Sequence, residues 1–564
     1  MKVVIIGGVA GGASAAARLR RLNETAEIII LERSGYVSYA NCGLPYYIGG
    51  VIKEQSELTL KTPESFWERF RIEARVHHEV TDIDPENKIV TVRCPDTGKT
   101  YTESYDKLLL SPGARPTVPD IEGVNLPRVF SLRTVEDTLR IRKFIETKQP
   151  KSVVIAGGGY IGIEMAENLC MSGMKVTIVQ RPEQLLAPLD EDMAAFVHTK
   201  LRNKGVSLKF GSTVQGFEEE GNQIRTTLKD DCPLISDMVI LAVGVTPDTA
   251  LAKAAGLKLG IKGSIVVNEK METSVADIYA VGDAVQVKNY VTGEDALISL
   301  AGPANKQGRI AADNICGRES RFTGSMGSSI IKLFDMTVAM TGINEKTANA
   351  AGIPVETAIL SPASHATYYP GGKAMTMKVI CNKNTHKLIG AQIIGYEGTD
   401  KRIDVLATAI HAGMKGPELK ELDLAYAPPY SSAKDPVNMA GFVLENLFGG
   451  LVKQVRFKDI IALPRDGRVT LLDTRMISEY ARGHADGFIN IPLDELRERI
   501  KEIPVNKPVY VMCQSGVRSY IACRILTQNG YDSYNCSGGY AFYNAVMNNV
   551  LASKEIYPCG MEKK

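Results

Sequence analysis

The feature that most constrains this chain is an internal echo. Val3 to Arg33 and Val153 to Arg181 run in the same order: an apolar stretch, a glycine cluster, a helix-like stretch, and a second apolar stretch ending in polar residues. Apolar runs of this kind read as strands buried on both faces, and the stretch behind the glycines reads as the helix that crosses back over the sheet. The chain is therefore predicted to hold two βαβ units of the dinucleotide-binding type. Its 564 residues leave room for about three to five domains in all.

The first cluster is Gly7-Gly8-Val9-Ala10-Gly11-Gly12. It fits G-x-G-x-x-G with Val9 in the middle place, where glycine would let backbone amides approach a pyrophosphate at a helix start. Glu32 follows Gly12 by twenty residues, where a carboxylate accepts hydrogen bonds from ribose hydroxyls. Taken alone, this cluster is also compatible with a tight strand-to-helix turn. The second cluster, Gly157-x-Gly159-x-x-Gly162, is complete, but its acidic residue is missing: Val179 is followed by Gln180 and Arg181. An arginine beside a lost carboxylate accommodates a 2′-phosphate, so both NADH and NADPH stay open.

Composition narrows the partners. Sixty-six basic against 64 acidic residues give a net charge of +2, too little for a general phosphate-binding field, and nucleic acid is not expected. Ten cysteines without a C-x-x-C pair read as individual thiols in a reducing compartment, here the cytoplasm. The histidines form no zinc-spaced set, and no metal is expected. The N-terminal apolar run imitates a signal peptide but is broken by glycine, and no run is long enough to span a bilayer.

Beyond Ser328 the texture changes. Ile330 to Leu333, Ala374 to Ile380 and Lys387 to Ile394 read as an antiparallel sheet, followed by helix from Arg402 to Met414. Gly449-Gly450 reads as a linker. A last unit from about Asp459 has Val469 to Leu472 and Val509 to Met512 as short buried strands. On the helix after the first cluster, Arg18 and Arg21 lie three apart; they share a face that could grip phosphates or simply be solvated. Cys42, soon after Glu32, is expected at the head of a helix, which would lower its pKa.

These residues carry a resemblance. Ile278-Tyr279-Ala280-Val281-Gly282-Asp283-Ala284 resembles the second flavin motif of the pyridine nucleotide-disulfide oxidoreductases, which implies that Asp283 holds the ribityl chain of FAD. Thr246-Pro247-Asp248 resembles that family's return from the nicotinamide to the flavin domain. Ser38-x-x-x-Cys42 resembles its single-cysteine branch of coenzyme A-disulfide reductases, NADH oxidases and NADH peroxidases. The two-cysteine branch has a partner five residues before its second cysteine; here Val37 stands in that place and Tyr47 five residues after. Cys42 is then expected to pair with a substrate thiol or oxygen. His365-Ala366-Thr367-Tyr368-Tyr369-Pro370-Gly371 and Ala425-Tyr426-Ala427-Pro428-Pro429-Tyr430 resemble the tyrosine segments of coenzyme A-disulfide reductases. That resemblance implies a homodimer in which Tyr368 and Tyr426 reach the partner's Cys42, with Lys434 as a coenzyme A contact. It also implies nucleotide contacts from Gly7, Gly12, Glu32, Arg33 and Asp283 on the flavin side and from Gly157, Gly159, Gly162, Glu164, Arg181 and Gly244 on the nicotinamide side. Substrate contacts are implied for Ser14, Arg18, Arg21, Ser38 and Asn41.

The final unit, with Leu471-Leu472-Asp473-Thr474-Arg475, then Gly483 to Pro492, then Cys513-Gln514-Ser515-Gly516-Val517-Arg518-Ser519, resembles a rhodanese domain. Cys513 leaves a buried strand into a loop whose amides face it, and Arg518 adds positive charge at a helix start; such a nest suits a thiolate or persulfide. A phosphatase loop would share this geometry but spaces its arginine one residue further. The fold expected is α/β: a split FAD domain (1–115 and 247–327), an NAD(P)H domain (116–246), an α+β dimerisation domain (328–446), a linker (447–458) and a rhodanese domain (459–564). The function implied is NAD(P)H-dependent, flavin-linked reduction of coenzyme A disulfide or persulfide by Cys42, with Cys513 carrying sulfane sulfur. The alternatives are an NADH oxidase or peroxidase cycling Cys42 through sulfenic acid, and a redox-responsive binding protein. The role of Cys559 is left open.

Overall fold

The computed structural model describes residues 1–552, so Cys559 lies outside the described residues. Two compact units emerge, and the first comprises Met1–Pro182 with Gly205–Gly327. It contains both predicted βαβ units. In one, five parallel strands stand in the order Ile278–Ala280, Lys107–Leu110, Lys2–Ile6, Glu27–Glu32, Glu73–Val76. In the other the order is Ser207–Phe210, Lys175–Gln180, Ser152–Ala156, Met238–Leu241, Val129–Ser131, again all parallel. The central strands read Val-Val-Ile in both, and these residues are buried because helices cover both faces of such a sheet. The chain passes between the two sheets through Ala114–Pro116 and returns through Val245–Pro247, and these segments pair antiparallel. Thr246, in the expected return connection, is part of that pair.

The second unit comprises Glu183–Lys204 and the chain from Ser328 onward. Its first sheet is antiparallel, in the order Ser329–Leu333, Met336–Gly342, Leu388–Gly395, Thr376–Asn382, Val355–Leu360. Helix Thr399–His411 packs on its two central strands and helix Pro436–Phe448 follows. The last sheet is parallel: Lys453–Val455, Ser533–Cys536, Val509–Met512, Thr470–Asp473, Ile489–Asn490.

Two segments bear on the expected boundaries. Lys453–Val455 falls in the stretch read as linker, yet it is the edge strand of the last sheet; Gln454 also donates to Glu356 Oε1 at 2.7 Å, and Arg456 pairs with Glu345 at 2.6 Å. The stretch Glu183–Lys204, expected in the nicotinamide domain, groups with the second unit. It shares a buried charge cluster with that unit. Lys378, 1 % exposed, meets Asp190 at 3.0 Å, Asp192 at 2.9 Å and Glu345 at 2.6 Å, so three carboxylates from two segments converge on one ammonium.

Candidate active site

The glycine clusters share one geometry. Gly7 (φ +95°) and Gly157 (φ +114°) occupy the left-handed region, and a side chain at either would meet a backbone oxygen, that of Ser111 at 2.2 Å or Ala242 at 2.1 Å. Gly12 and Gly162 each face the carbonyl of the first glycine, at 2.0 and 2.1 Å from an ideal Cβ. The middle position is the helix N-cap in both, and Val9 (φ −102°) sits there without strain because no positive φ is required. At Gly159 an added Cβ would meet nothing within 4 Å. Neither N-cap has a side-chain hydrogen bond, and in the first helix the Gly12 N–H donates to Ser111 Oγ at 3.1 Å. The second-strand residues match as well. Glu32 Oε2 accepts the Gly8 N–H at 2.9 Å, and Gln180 Oε1 accepts the Gly158 N–H at 2.9 Å. Arg33 pairs with Asp248 at 2.9 Å, Arg181 is exposed, and Gly244 (φ +118°) turns the chain after strand Met238–Leu241.

Cys42 occupies a 3₁₀ turn, Asn41–Gly43, leading into the five-residue helix Leu44–Ile48, whose last carbonyls accept from Arg142. This helix packs on Tyr160–Met171, which carries Glu164. The thiol is exposed, and the expectation of a depressed pKa is not met. Loss of hydration raises it, Glu164 and Asp283 raise it further, and Arg133 opposes them; one short turn has too little aligned dipole to compensate. Burial lifts the Glu164 carboxyl to about 7 against a hydrogen bond from Tyr46. Arg133 escaped the sequence reading. Its Nη2 donates to Asp283 Oδ2 at 2.9 Å, and with the Asn41 amide in its hydrogen-bonding orientation its Nη1 donates to Asn41 at 2.8 Å. Ser38 takes a left-handed backbone (φ +48°) and donates its N–H to Gly8 O at 2.8 Å, tying the cysteine turn to the first glycine cluster.

The phosphate-gripping pair is divided. Arg18 is committed to Asp313 at 2.7 Å, while Arg21 is exposed on the same helix, so the spacing gave the shared face but not the partner. Ser14 donates to Asn305.

In the second unit Tyr368 and Tyr426 are exposed and their hydroxyls meet at 2.6 Å. Buried Arg402 binds both tyrosine segments. Nη2 donates to Ser364 O at 2.9 Å, Ser431 Oγ at 3.3 Å and Asp435 Oδ2 at 2.9 Å, and Nη1 to Gly398 O at 3.1 Å. Beside Tyr426 lies a cavity of about 600 Å³ lined by His365, Glu397, Lys401 and Tyr430 among others. Lys434 is exposed.

Cys513 is buried at the end of Val509–Met512, and its Sγ accepts from the Gly516 N–H at 3.1 Å and the Ser519 hydroxyl at 3.2 Å. Gly539 leaves room for this loop, since a Cβ there would lie 2.6 Å from Cys513 O, and the Tyr540 N–H donates to that oxygen at 2.7 Å. Arg518 forms a two-pronged ion pair with Glu479, at 2.6 and 2.8 Å.

Two glycine-cradled parallel sheets, an exposed cysteine influenced by Glu164 and Asp283, and a second cysteine nested in a loop point to an oxidoreductase with two dinucleotide sites. Family comparison agrees. Residues 1–308 match the pyridine nucleotide-disulphide oxidoreductase model, 328–436 its dimerisation domain and 457–545 the rhodanese-like domain. The chain belongs to the pyridine nucleotide-disulphide oxidoreductase family, with a rhodanese-like domain at its C-terminal side. An NADH oxidase of Methanocaldococcus jannaschii and a coenzyme A disulfide reductase of Staphylococcus aureus are each 36 % identical over 442 residues, 78 % of this chain and 98 % and 99 % of theirs. Reduced Bacillus anthracis CoADR-RHD is 48 % identical, with a TM-score of 0.94 over 97 % of this chain and 98 % of that one. An NAD-dependent persulfide reductase from A. fulgidus is 37 % identical, with a TM-score of 0.91 over 96 % of this chain and all of its own.

Members of this family use FAD and NAD(P)H, and the residues fit both groups. The glycines at Gly7, Gly12, Gly157 and Gly162 allow the two tight turns, the open space beside Gly159 leaves room in which a pyrophosphate would fit, and the Glu32 carboxylate is fixed beside the first turn by the Gly8 N–H.

Proposed function

We propose that this chain reduces coenzyme A disulfide and coenzyme A persulfide at the expense of NAD(P)H. FAD, when bound, supplies the two-electron connection between nicotinamide and thiol. Gly7, Gly12, Glu32, Arg33 and Asp283 hold it, with Arg133 orienting Asp283; Gly157, Gly159, Gly162, Glu164, Arg181 and Gly244 serve the nicotinamide. Cys42 attacks the substrate S–S bond as a thiolate, forming a mixed disulfide and releasing a thiolate that takes a proton. Tyr368 and Tyr426 supply that proton from the partner chain of a homodimer. Ser14, Arg21, Ser38, Asn41 and Lys434 bind the substrate, while Arg18 acts through Asp313 as a helix-pairing group. Cys513 accepts sulfane sulfur as a persulfide, with Arg518 at its loop. We place the enzyme in the cytoplasm and its functional segments at 1–115 with 247–327 for flavin, 116–246 for nicotinamide, 328–446 for dimerisation and, with the boundary moved forward to the strand at Lys453, the remainder for sulfur transfer.

The observation that carries this reading is the pair of hydrogen bonds on Cys513 Sγ, which builds a sulfur-holding loop into the same chain as a lone reactive cysteine. Steady-state oxidation of NADH and of NADPH is to be compared with coenzyme A disulfide, coenzyme A persulfide, polysulfide and hydrogen peroxide as acceptors. Turnover with the coenzyme A compounds is expected. Turnover with peroxide alone would select the peroxidase reading, in which Cys42 passes through sulfenic acid.

A further inference from the structure

The loop around Cys513 is electrically balanced. Two guanidiniums reach it, and each is matched by a carboxylate. Arg475, 2 % exposed, donates through Nε to both oxygens of Asp473 at 3.0 Å and through Nη2 at 2.7 Å, with its guanidinium 3.9 Å from the Tyr540 ring centroid and Nη1 directed to Gln514. Arg518, on the first turn of Val517–Gln528, is gripped by both oxygens of Glu479. Glu479 is itself fixed by the Met476 N–H at 2.9 Å, at the start of the short helix Ile477–Ala481. Its carboxyl is held down to about 2 by Arg518 before any other influence, so it is ionised whenever the enzyme works. What remains for the sulfur are two neutral donors, the Gly516 amide and the Ser519 hydroxyl. Such a nest matches one negative charge.

We infer that Glu479 is a specificity-determining residue: by neutralising Arg518 it makes the Cys513 loop take sulfur from organic persulfides and disfavours small dianionic donors such as thiosulfate. The inference rests on the reading of Cys513 as the sulfur acceptor. In the favoured reaction the Cys513 thiolate attacks the outer sulfur of R–S–SH. The new S–S bond forms as the donor's breaks, the electron pair leaves on R–S⁻, and the product is Cys513–S–SH. With thiosulfate the same attack must expel sulfite, and a dianion must first approach a thiolate with no net positive charge beside it. An organic persulfide brings at most one charge at its sulfur and meets no such barrier.

The test loads sulfur onto the intact flavoprotein in single turnover, following sulfite release from thiosulfate and thiol release from glutathione persulfide. In the unaltered protein, persulfide loads faster; equal rates would overturn the inference without any variant. Glu479→Gln frees the Arg518 charge and is expected to speed thiosulfate loading about tenfold, the scale of one uncompensated charge beside a dianion at a solvated mouth, while persulfide loading changes less than about twofold. An unchanged ratio of the two rates overturns the proposal. The double variant Glu479→Gln/Arg518→Gln restores electrical balance and should return the ratio to its original value; a retained gain would show that charge is not the cause. Cys513→Ser serves as the separate control. Sulfur loading that survives it would sink the assignment of Cys513 itself, whichever way the Glu479 ratio falls.

Discussion

The phenolic oxygens of Tyr368 and Tyr426 lie 2.6 Å apart, and the two loops that bring them together are both fastened to Arg402, which is buried beneath them. The hydrogen bond between the two hydroxyls is the first cause of the raised Tyr426 pKa. A residue that donates to a departing thiolate benefits from a neighbour that replenishes the proton.

Replacing Tyr368→Phe together with Tyr426→Phe should slow reduction of a disulfide acceptor on the order of a hundredfold, the usual size of a lost acid–base contribution. Flavin content and melting temperature should stay unchanged, because only hydroxyls are removed. A mixed dimer of one doubly substituted chain and one Cys42→Ser chain should recover about half the native activity, since crossed sites leave one intact. No recovery would place the tyrosines in the same chain as the cysteine they serve.

Cys42→Ser should abolish disulfide and persulfide reduction but leave the loss of flavin absorbance on adding NADH, because transfer to the flavin precedes the thiol step. Full turnover with a disulfide acceptor would remove Cys42 from the mechanism.

The charges around Cys42 predict a pH-dependent effect with a definite sign. Glu164, raised to about 7, is ionised at pH 8 and there holds the Cys42 thiol up. Glu164→Gln should therefore lower the thiol pKa and speed iodoacetamide alkylation of the reduced enzyme at pH 8 by roughly two- to threefold. At pH 6 native Glu164 is mostly protonated, and the two proteins should converge. Arg133→Met should act in the opposite direction. Equal rates for all three at pH 8 would exclude this electrostatic account.

Arg181→Glu should lower the ratio of kcat/KM for NADPH over NADH by about tenfold, because it places a carboxylate where a 2′-phosphate would lie. Gln180 already accepts the Gly158 N–H, so the loop itself should survive. A ratio that does not move would separate Arg181 from the nucleotide.

Lys378→Met leaves Asp190 and Asp192 without their cation, while Glu345 keeps only Arg456. Removing one partner of a buried charge cluster costs about 3–5 kcal/mol. Denaturant unfolding at neutral pH should show that loss, and mild acid should narrow it as the carboxylates take up protons. A variant as stable as the native chain would mean that water reaches the cluster.

What the sequence made legible were features fixed within a few residues. Gly7 and Gly157 announce themselves because no other residue fits a left-handed turn pressed against a carbonyl, and the Cys513 loop is contained in one strand-to-helix transition. What it concealed depends on long-range pairing. Arg133 finds Asp283 across 150 residues and Arg18 finds Asp313 across 295, and no local pattern marks either partner. Lys453–Val455 has three residues and no periodicity, and becomes a strand only because Ser533–Cys536 offers it an edge. The pKa of the Cys42 thiol is hidden from local sequence for a related reason. It is raised first by burial and then by Glu164 and Asp283 arriving from elsewhere, against a helix too short to matter.

The paired strands Ala114–Pro116 and Val245–Pro247 have a consequence for how genes of this kind can be rearranged. To the flavin sheet, everything between them is an insertion whose two ends sit side by side, so an exchange at that point would swap the electron-donor half without stretching the acceptor half. The exchange is not free, because Asp190 and Asp192 travel with the insert while Lys378 stays behind. A donor half grafted from a relative must bring its own carboxylates to that lysine, or the recombinant inherits a buried cation with too few partners.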